Sequence, residues 1–287
     1  MTGDIPRPEI KTNLPMPDLS QILPDNLAYL ERIERSDDEQ YSFVPHEIWK
    51  ASHEKILENL GLTSEKINIL LEKIDKLNVQ TKDPLKDIWS NSRRIESYAT
   101  TLALLQKLFD ENIQGRQIVE VGCNRRGLLV ESLLSAEGAE MTGVDCNLGF
   151  HDSGKDEEKE GFLKKVKKMG PNFVESRWED IEKHFESGTV DASYIHHMYP
   201  KPQEGGEFAD NPGEFRKHIA RAMYKITKPG GFFVIGQTED PYFDGKYNNE
   251  YVPDRICFEE AGFKYYEIRK IPGSDIINMR IFQKPTN

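Results

Sequence analysis

The feature that most constrains the fold is a change of hydrophobic pattern at Gln117. Before this residue, apolar side chains recur at three- and four-residue steps, which is the period of a helix. After it, short apolar runs rich in β-forming residues alternate with helical segments. Such alternation requires crossover connections and therefore predicts a parallel sheet covered by helices. The predicted strands are 118–121, 141–144, 173–175, 190–195 and 232–235, and the predicted helices lie near 128–136, 157–169, 179–185 and 213–226.

The C-terminal segment has a different pattern. A helix end at "FEEAGF" is followed by two strand-like runs, "KYYEIRK" and "IINMRIFQK", on either side of a turn at Pro272-Gly273. A hairpin at the end of a parallel sheet requires one strand to run antiparallel. The fold class predicted here is α/β, with a mostly parallel sheet and an antiparallel last strand.

Three regions are expected along the chain. Residues 1–44 are rich in Pro, Asp and Asn, which predicts an arm that is either extended over the rest of the protein or partly disordered. Residues 45–112 have helical periodicity and predict an N-terminal helical cap, with helices over 45–61, 63–77 and 84–110. Residues 113–287 form the α/β domain.

Composition limits the classes of partner. The formal net charge of −11 disfavours broad, sequence-independent binding of nucleic acid, because such binding needs a clustered positive face. No apolar run approaches membrane-spanning length, so no membrane partner is expected. The three cysteines have no CxxC spacing, which argues against disulfides and against a metal site and favours the reducing cytoplasm.

The first strand–helix–strand unit holds the candidate site. Its sequence "IVEVGCNRRG" brings the chain to the carboxyl edge of the sheet at Gly122, where a ligand can approach the main chain closely. The next strand ends on Asp145, which is suited to accept hydrogen bonds from both hydroxyls of a ribose. Together these residues predict a nucleotide-like ligand in the crevice between the two strands.

The segment resembles motif I and the following acidic strand of class I S-adenosylmethionine-dependent methyltransferases. The resemblance extends over about residues 117–284, and its further motifs are "FVESRWEDI", "ESGTVDASYIHH", "HIARAMYKITKPGGFFVIG" and "FEEAGF". It implies a Rossmann-like sheet of seven strands whose last strand is antiparallel, and S-adenosyl-L-methionine as cofactor.

The resemblance also implies roles for individual residues. Gly122 would lie beneath the methionine part of the cofactor, and Glu120 would either order the loop or meet the cofactor's amino group. Asp145 would take the ribose hydroxyls. The remaining positions expected to border the cofactor are Cys123, Asn124, Gly127, Cys146, Arg177, Trp178, Glu179 and His196, of which residues 177–179 would border the adenine.

Two departures from the family pattern affect this site. Asn124 and Arg126 occupy the second and third glycine positions of the family's acid-x-Gly-x-Gly-x-Gly loop. Asn tolerates positive φ better than other non-glycine residues, and a shifted turn could use Gly127. Arg177 stands where an acid often reads the adenine amino group, and Glu179 or Asp180 could take over that role.

Candidate catalytic residues follow the fourth strand. His196, His197 and Tyr199 lie at the carboxyl edge, beside the position expected for the transferred methyl group. Methyl transfer needs mainly positioning and desolvation, with a base where the acceptor carries a proton. Histidine has a suitable pKa for that base, but adjacent strand residues point in opposite directions, so one histidine at most would face the pocket. Packing and loop hydrogen bonding are alternative roles for the histidines, and an aromatic wall is the alternative for Tyr199.

Three functional hypotheses remain open. The first is an S-adenosylmethionine-dependent methyltransferase acting on an oxygen or nitrogen of a small or medium-sized molecule, with helices that cap the pocket or form a homodimer. The second is a degenerate binding or regulatory module, supported by Asn124 and Arg126. The third, ranked lowest, is an NAD-dependent dehydrogenase, which shares the strand-Gly-helix-strand-acid pattern but has more glycines in its loop.

Overall fold

The computed structural model describes residues 92–109, 112–146, 148, 156–196, 206–237, 254–268 and 278–286, with a few helical residues between 65 and 76. The arm 1–44, the first predicted helix 45–61 and the turn at Pro272-Gly273 lie outside the described residues. The regional boundaries at 44 and 112 stay predictions.

Helices and strands alternate through the described chain from Ser92 to the end of the sixth strand. The helices are α1 (Ser92–Leu108), α2 (Asn124–Ala136), α3 (Asp156–Lys168), a 3₁₀ helix (Trp178–Lys183), α4 (Pro212–Ile226) and α5 (Asp254–Glu260). The strands are β1 (Gln117–Val121), β2 (Glu140–Asp145), β3 (Asn172–Glu175), β4 (Val190–His196), β5 (Thr227–Gln237), β6 (Lys264–Ile268) and β7 (Asn278–Gln283).

The strands form one seven-stranded sheet in the order β3-β2-β1-β4-β5-β7-β6. Neighbouring strands from β3 to β5 are parallel, whereas β7 lies between β5 and β6 and is antiparallel to both. The predicted antiparallel last strand is therefore confirmed. The strand order reverses direction between β1 and β4, and ligands of open α/β sheets bind at the carboxyl edge of such a point.

Each face of the sheet has its own apolar core. Alternation along β1 sends Ile118 to the face covered by α1, α2 and α3, and sends Val119 and Val121 to the face covered by the 3₁₀ helix, α4 and α5. The α1 side chains Leu102, Leu105 and Leu108 are fully buried in the first core. The helix before β1 is therefore packed into the same core as the sheet.

Three predicted boundaries differ from the structure. Helix α2 begins at Asn124, four residues before the predicted position, and residues 178–183 form a 3₁₀ helix. Strand β5 begins at Thr227, before the predicted start at residue 232, and includes the Lys-Pro-Gly-Gly segment. The reason is steric: a Cβ on Gly231 would lie 2.8 Å from the Asp191 carbonyl oxygen, so glycine permits close pairing with β4.

A buried ion pair closes the amino edge of the sheet, opposite the candidate site. Arg116, which precedes β1, lies 3.3 Å from an Asp191 carboxylate oxygen on β4, and both side chains are almost fully buried. Asp191 also accepts hydrogen bonds from the Gln117 backbone N–H at 2.9 Å and from Lys228 Nζ at 3.2 Å. The carboxylate thereby joins β1, β4 and β5. None of the described helices is long and apolar enough to cross a membrane.

Candidate functional site

The loop between β1 and α2 is held against the end of β2. The N–H groups of Gly122 and Cys123 both donate to the Val144 carbonyl, at 2.7 and 3.2 Å. Gly122 has φ 73° and Asn124 has φ 45°. Asn124 thus adopts the left-handed conformation that a family glycine would otherwise supply, as its residue type predicted.

Asp145 ties this loop to the one that follows β2. One carboxylate oxygen accepts the Asn124 N–H at 3.0 Å, and the other accepts the Leu148 N–H at 2.8 Å. The residue is 8% exposed, at the carboxyl edge of the sheet. A carboxylate accepts up to about four hydrogen bonds, so Asp145 can hold the backbone of both loops at once.

Glu120 lies on the other side of the loop, inside the core between the sheet and helices α1 and α2. It is fully buried, and its two oxygens accept hydrogen bonds from Tyr98 Oη at 3.3 Å and from Tyr194 Oη at 3.1 Å. Burial raises the pKa of Glu120 from 4.5 to about 8, partly offset by hydrogen bonds from Glu131 and the two tyrosines. This position favours the role of ordering the loop over direct contact with a cofactor amino group.

Gly127 lies inside α2, and its predicted position beside the cofactor stays a prediction. The prediction that a shifted turn uses Gly127 is wrong, because this residue lies in the first turn of α2, where its N–H donates to the Cys123 carbonyl at 2.9 Å. A Cβ at this position would lie 2.4 Å from the nearest oxygen of Glu120. Glycine is needed here because the helix crosses directly over a buried carboxyl group.

A cleft of about 300 Å³ opens beside Asp145, at the carboxyl ends of β2 and β3. The strands are in register there, with Asp145 opposite Glu175, and the Ser176 N–H donates to the Asp145 carbonyl at 3.1 Å. The cleft brings together two residues predicted for the cofactor site, Cys146 and Arg177. Its full lining is Cys146, Glu175, Ser176, Arg177, Asp180 and His184.

The two other residues predicted to border the adenine lie elsewhere. Trp178 is half-buried and packs against the core beneath α4. The Glu179 carbonyl oxygen lies 3.0 Å from Nε2 of His218. Neither lines the cleft, whereas Asp180, the alternative acid, does. Asp180 forms a hydrogen-bonded ion pair with Lys183, and that bond is the main cause that lowers the pKa of Asp180.

Sequence reasoning missed three residues of the cleft: Glu175, Ser176 and His184. Glu175 ends β3 as Asp145 ends β2, so the strand-end rule that identified Asp145 could also have found Glu175. His184 follows Asp180 by four residues, but the 3₁₀ geometry that places both at the cleft is not evident from the sequence.

The candidate catalytic residues are described only in part. His196 is the last residue of β4 and is paired with Gly236 of β5, which places its backbone at the carboxyl edge. The side chain of His196, and all of His197 and Tyr199, lie outside the described residues, so their roles stay predictions. No group of His, Cys, Asp and Glu in the described part of the chain could hold a metal ion.

Solved structures with a similar arrangement include several methyltransferases. The N-methyltransferase NodS from Bradyrhizobium japonicum is 13% identical with a TM-score of 0.45, and covers 69% of this chain and 99% of its own. The aminoglycoside resistance methyltransferase NpmB1 is 15% identical, with a TM-score of 0.42 and coverage of 62% and 93%. A SAM-dependent methyltransferase from Archaeoglobus fulgidus is 17% identical, with a TM-score of 0.41 and coverage of 63% and 91%.

The chain has the Rossmann-like fold of class I methyltransferases. Its strand order, with the antiparallel β7 inserted between β5 and β6, is the feature that establishes this. No family model and no curated protein matches the chain. At identities of 13–17%, the likeness to methyltransferases concerns the fold and does not assign a reaction.

Proposed function

We propose that this protein is an S-adenosylmethionine-dependent methyltransferase. The observation that carries the proposal is the position of Asp145, which ends β2 and accepts the Asn124 N–H at 3.0 Å. One side chain thus couples the loop after β1 to the loop after β2, at the point where the strand order reverses. A ligand with a ribose and an amino-acid part matches this pair of loops.

The residues present fit that cofactor. The amino end of α2 begins at the carboxyl edge of β1 and carries the partial positive charge of a helix terminus, which suits the cofactor's carboxylate. Asp145 is suited to the ribose hydroxyls, and the adjoining cleft, with the acid Asp180, is suited to the adenine. Bound here, the cofactor supplies an electrophilic methyl group.

The fold argues against the dehydrogenase alternative. A dinucleotide-binding sheet has the parallel strand order 3-2-1-4-5-6, whereas here an antiparallel strand separates β5 from β6. The loop after β1 also has Asn124 and Arg126 where a dinucleotide loop needs glycine for close approach to the pyrophosphate.

The acceptor is proposed to be a small or medium-sized molecule, methylated on oxygen or nitrogen in the cytoplasm. His196 ends β4 at the carboxyl edge. The methyl group is expected at this edge, so His196 or His197 is the proposed base for an acceptor that carries a proton. The helices before β1 are proposed to cap the pocket or to form a homodimer interface. The net charge of −11 supports a small acceptor over nucleic acid.

The test is calorimetric titration of the full chain with S-adenosylmethionine, its demethylated product S-adenosylhomocysteine, and NAD. Micromolar binding of the first two is expected, with loss of at least about tenfold in Asp145→Ala, because a buried carboxylate that accepts ligand hydroxyls is removed. Asp210→Ala is the matched control, since Asp210 is exposed in a turn before α4.

Two other outcomes of the titration would contradict the proposal. Absence of binding of both sulfur compounds by a folded protein contradicts the proposal and favours a degenerate module. NAD binding alone favours a dehydrogenase. Since Asp145 also fixes the loop backbone, circular dichroism of Asp145→Ala, with Asp145→Asn as the milder change, separates loss of binding from loss of fold.

A further inference from the structure

A second carboxyl group is buried beside Glu120. Glu131 lies on α2, four residues after Gly127 and therefore on the same face of the helix, and it is fully buried. A Cβ built on Gly143 of β2 would lie 3.0 Å from an oxygen of Glu131, which places that carboxyl group against the sheet. Two acidic side chains from different elements are therefore buried together under α2.

Glu131 obtains no hydrogen bond from a described donor. Both of its oxygens are buried without a donor among the described residues, while the oxygens of Glu120 already accept from Tyr98 and Tyr194. Burial raises the pKa of Glu131 well above its usual range, and the charge of Glu120 raises it further. A proton between the two carboxyl groups satisfies both, because a protonated carboxyl donates one hydrogen bond and keeps its capacity to accept.

The pair is in contact with the loop of the candidate cofactor site. The first turn of α2 rests on the Glu120 carboxyl through Gly127, whose N–H is bonded to the Cys123 carbonyl. Asn124 lies between these two residues in the left-handed conformation, and its N–H is bonded to Asp145. A displacement of the Glu120 carboxyl toward α2 therefore has to move this turn.

We propose that one proton shared by Glu120 and Glu131 holds the first turn of α2, and with it Asn124, in the conformation that binds the cofactor. Loss of that proton leaves two negative charges in the core, so the turn moves and cofactor affinity falls as the pH rises. The inference rests on the proposed function and makes Glu131 a positioning residue, since it acts on the loop through Glu120.

Among the residues whose side chains the structure describes, the titratable groups that face the pair add no positive charge. They are Tyr98 on α1, Tyr194 on β4, Cys123 at the start of α2 and Asp145 at the end of β2. Burial, and then the nearby acids, raise the pKa values of Tyr194 and Cys123, so both groups stay neutral through the range in which the pair titrates. The local charge therefore changes when the carboxyl pair loses its shared proton.

The first test measures the affinity for S-adenosylhomocysteine from pH 6.5 to 9. In the wild type, the dissociation constant should rise by at least about fivefold across this range beyond the ligand's own titration, because proton loss is linked to loss of the binding conformation. In Glu131→Gln, an amide N–H replaces the shared proton at every pH, so the affinity should vary only as the ligand titrates. Glu157→Gln, an exposed residue of α3, is the matched control and should follow the wild type.

The second test does not depend on cofactor binding. In the unfolded chain both carboxyl groups ionise at their ordinary pKa, whereas burial raises the pKa of the pair in the folded protein, so between pH 4.5 and about 8 the folded state holds more protons than the unfolded chain. The free energy of unfolding should therefore fall as the pH rises through this window. Glu120→Gln and Glu131→Gln should each reduce that fall, and Glu157→Gln should not.

The outcomes separate this inference from the proposed function. If the affinity of Glu131→Gln depends on pH in the same way as that of the wild type, the inference is overturned and the proposed function stands. Failure of wild type to bind the ligand at any pH, with the predicted pH-dependent stability present, would overturn the function and the proposed link, and leave the shared proton as a structural feature. If Glu131→Gln does not fold, a wild-type affinity that is independent of pH still refutes the inference.

Discussion

At the scale of single residues, the site depends on which positions have no side chain. Gly127 is in contact with the Glu120 carboxyl, and Gly143 makes room for Leu128, Cys123 and Glu131. Both glycines occur inside regular elements, where glycine costs about 0.5–1 kcal/mol relative to alanine. Close approach of α2 to the sheet is the physical reason for that cost.

Substitution of Gly127 tests this packing directly. Gly127→Ala places a methyl group 2.4 Å from a buried carboxyl oxygen and should lower the free energy of unfolding by about 1–3 kcal/mol, as overpacked cores do. Gly161→Ala is the matched control, because a Cβ there has no atom within 4 Å and the residue lies in the middle of α3. Urea denaturation should show Gly161→Ala unchanged or stabilised, and equal effects of the two substitutions would contradict the packing described here.

The residues of the site could be predicted from sequence only where a local rule applies. Asp145 follows from its position at a strand end, and the left-handed Asn124 follows from residue type. No local rule predicts the burial of Glu131, because an acid inside a helix is ordinarily exposed. Its proximity to Glu120 depends on how α2 packs on β1. The role of Gly127 was missed for the same reason.

At the scale of elements, the amino edge of the sheet is closed by the Asp191 carboxylate. Its partners Arg116, Gln117 and Lys228 come from three segments, so it joins β1, β4 and β5. The Arg116 guanidinium also lies 4.6 Å from the Phe109 ring centroid, which joins the end of α1 to this cluster. The opposite edge, at the carboxyl ends of the strands, holds the candidate ligand site.

Removal of Asp191 should be costly because its main partner stays buried. Asp191→Ala leaves the Arg116 guanidinium almost fully buried without its carboxylate and should lower the free energy of unfolding by about 3–5 kcal/mol. Loss of the exposed ion pair between Glu160 and Lys164, by Glu160→Ala, should leave the thermal midpoint close to that of the wild type. Differential scanning calorimetry of both variants checks this, and a thermal midpoint of Asp191→Ala equal to the wild-type value would refute the assigned role.

The order of elements could be predicted from periodicity, and their exact bounds could not. Within the described residues, the helical and strand patterns predicted the five α-helices and the seven strands near their observed positions, because each pattern is local. The start of β5 was wrong because the Gly230-Gly231 pair ordinarily marks a turn, whereas here Gly231 allows close pairing with β4. The position of β7 between β5 and β6 required the tertiary structure.

At the scale of the whole molecule, the sheet separates structural and ligand-binding functions. The two cores bury each face, the ion-pair cluster holds the amino edge, and the carboxyl edge has the left-handed loop, Asp145 and the cleft. Tyr98 links this edge to the preceding helix, since it reaches from α1 to Glu120 beneath the loop. A ligand at the carboxyl edge is therefore expected to stabilise three segments together: the loop after β1, the loop after β2 and the segment after β3 that borders the cleft.

Hydrogen–deuterium exchange with and without saturating S-adenosylhomocysteine tests that claim most directly. We expect slower exchange in three segments, 119–127, 144–148 and 175–184, with the amino-edge peptides around Arg116 and Asp191 unchanged as the internal control. Protection confined to other parts of the chain, in a sample shown to bind the ligand, would contradict the site described here.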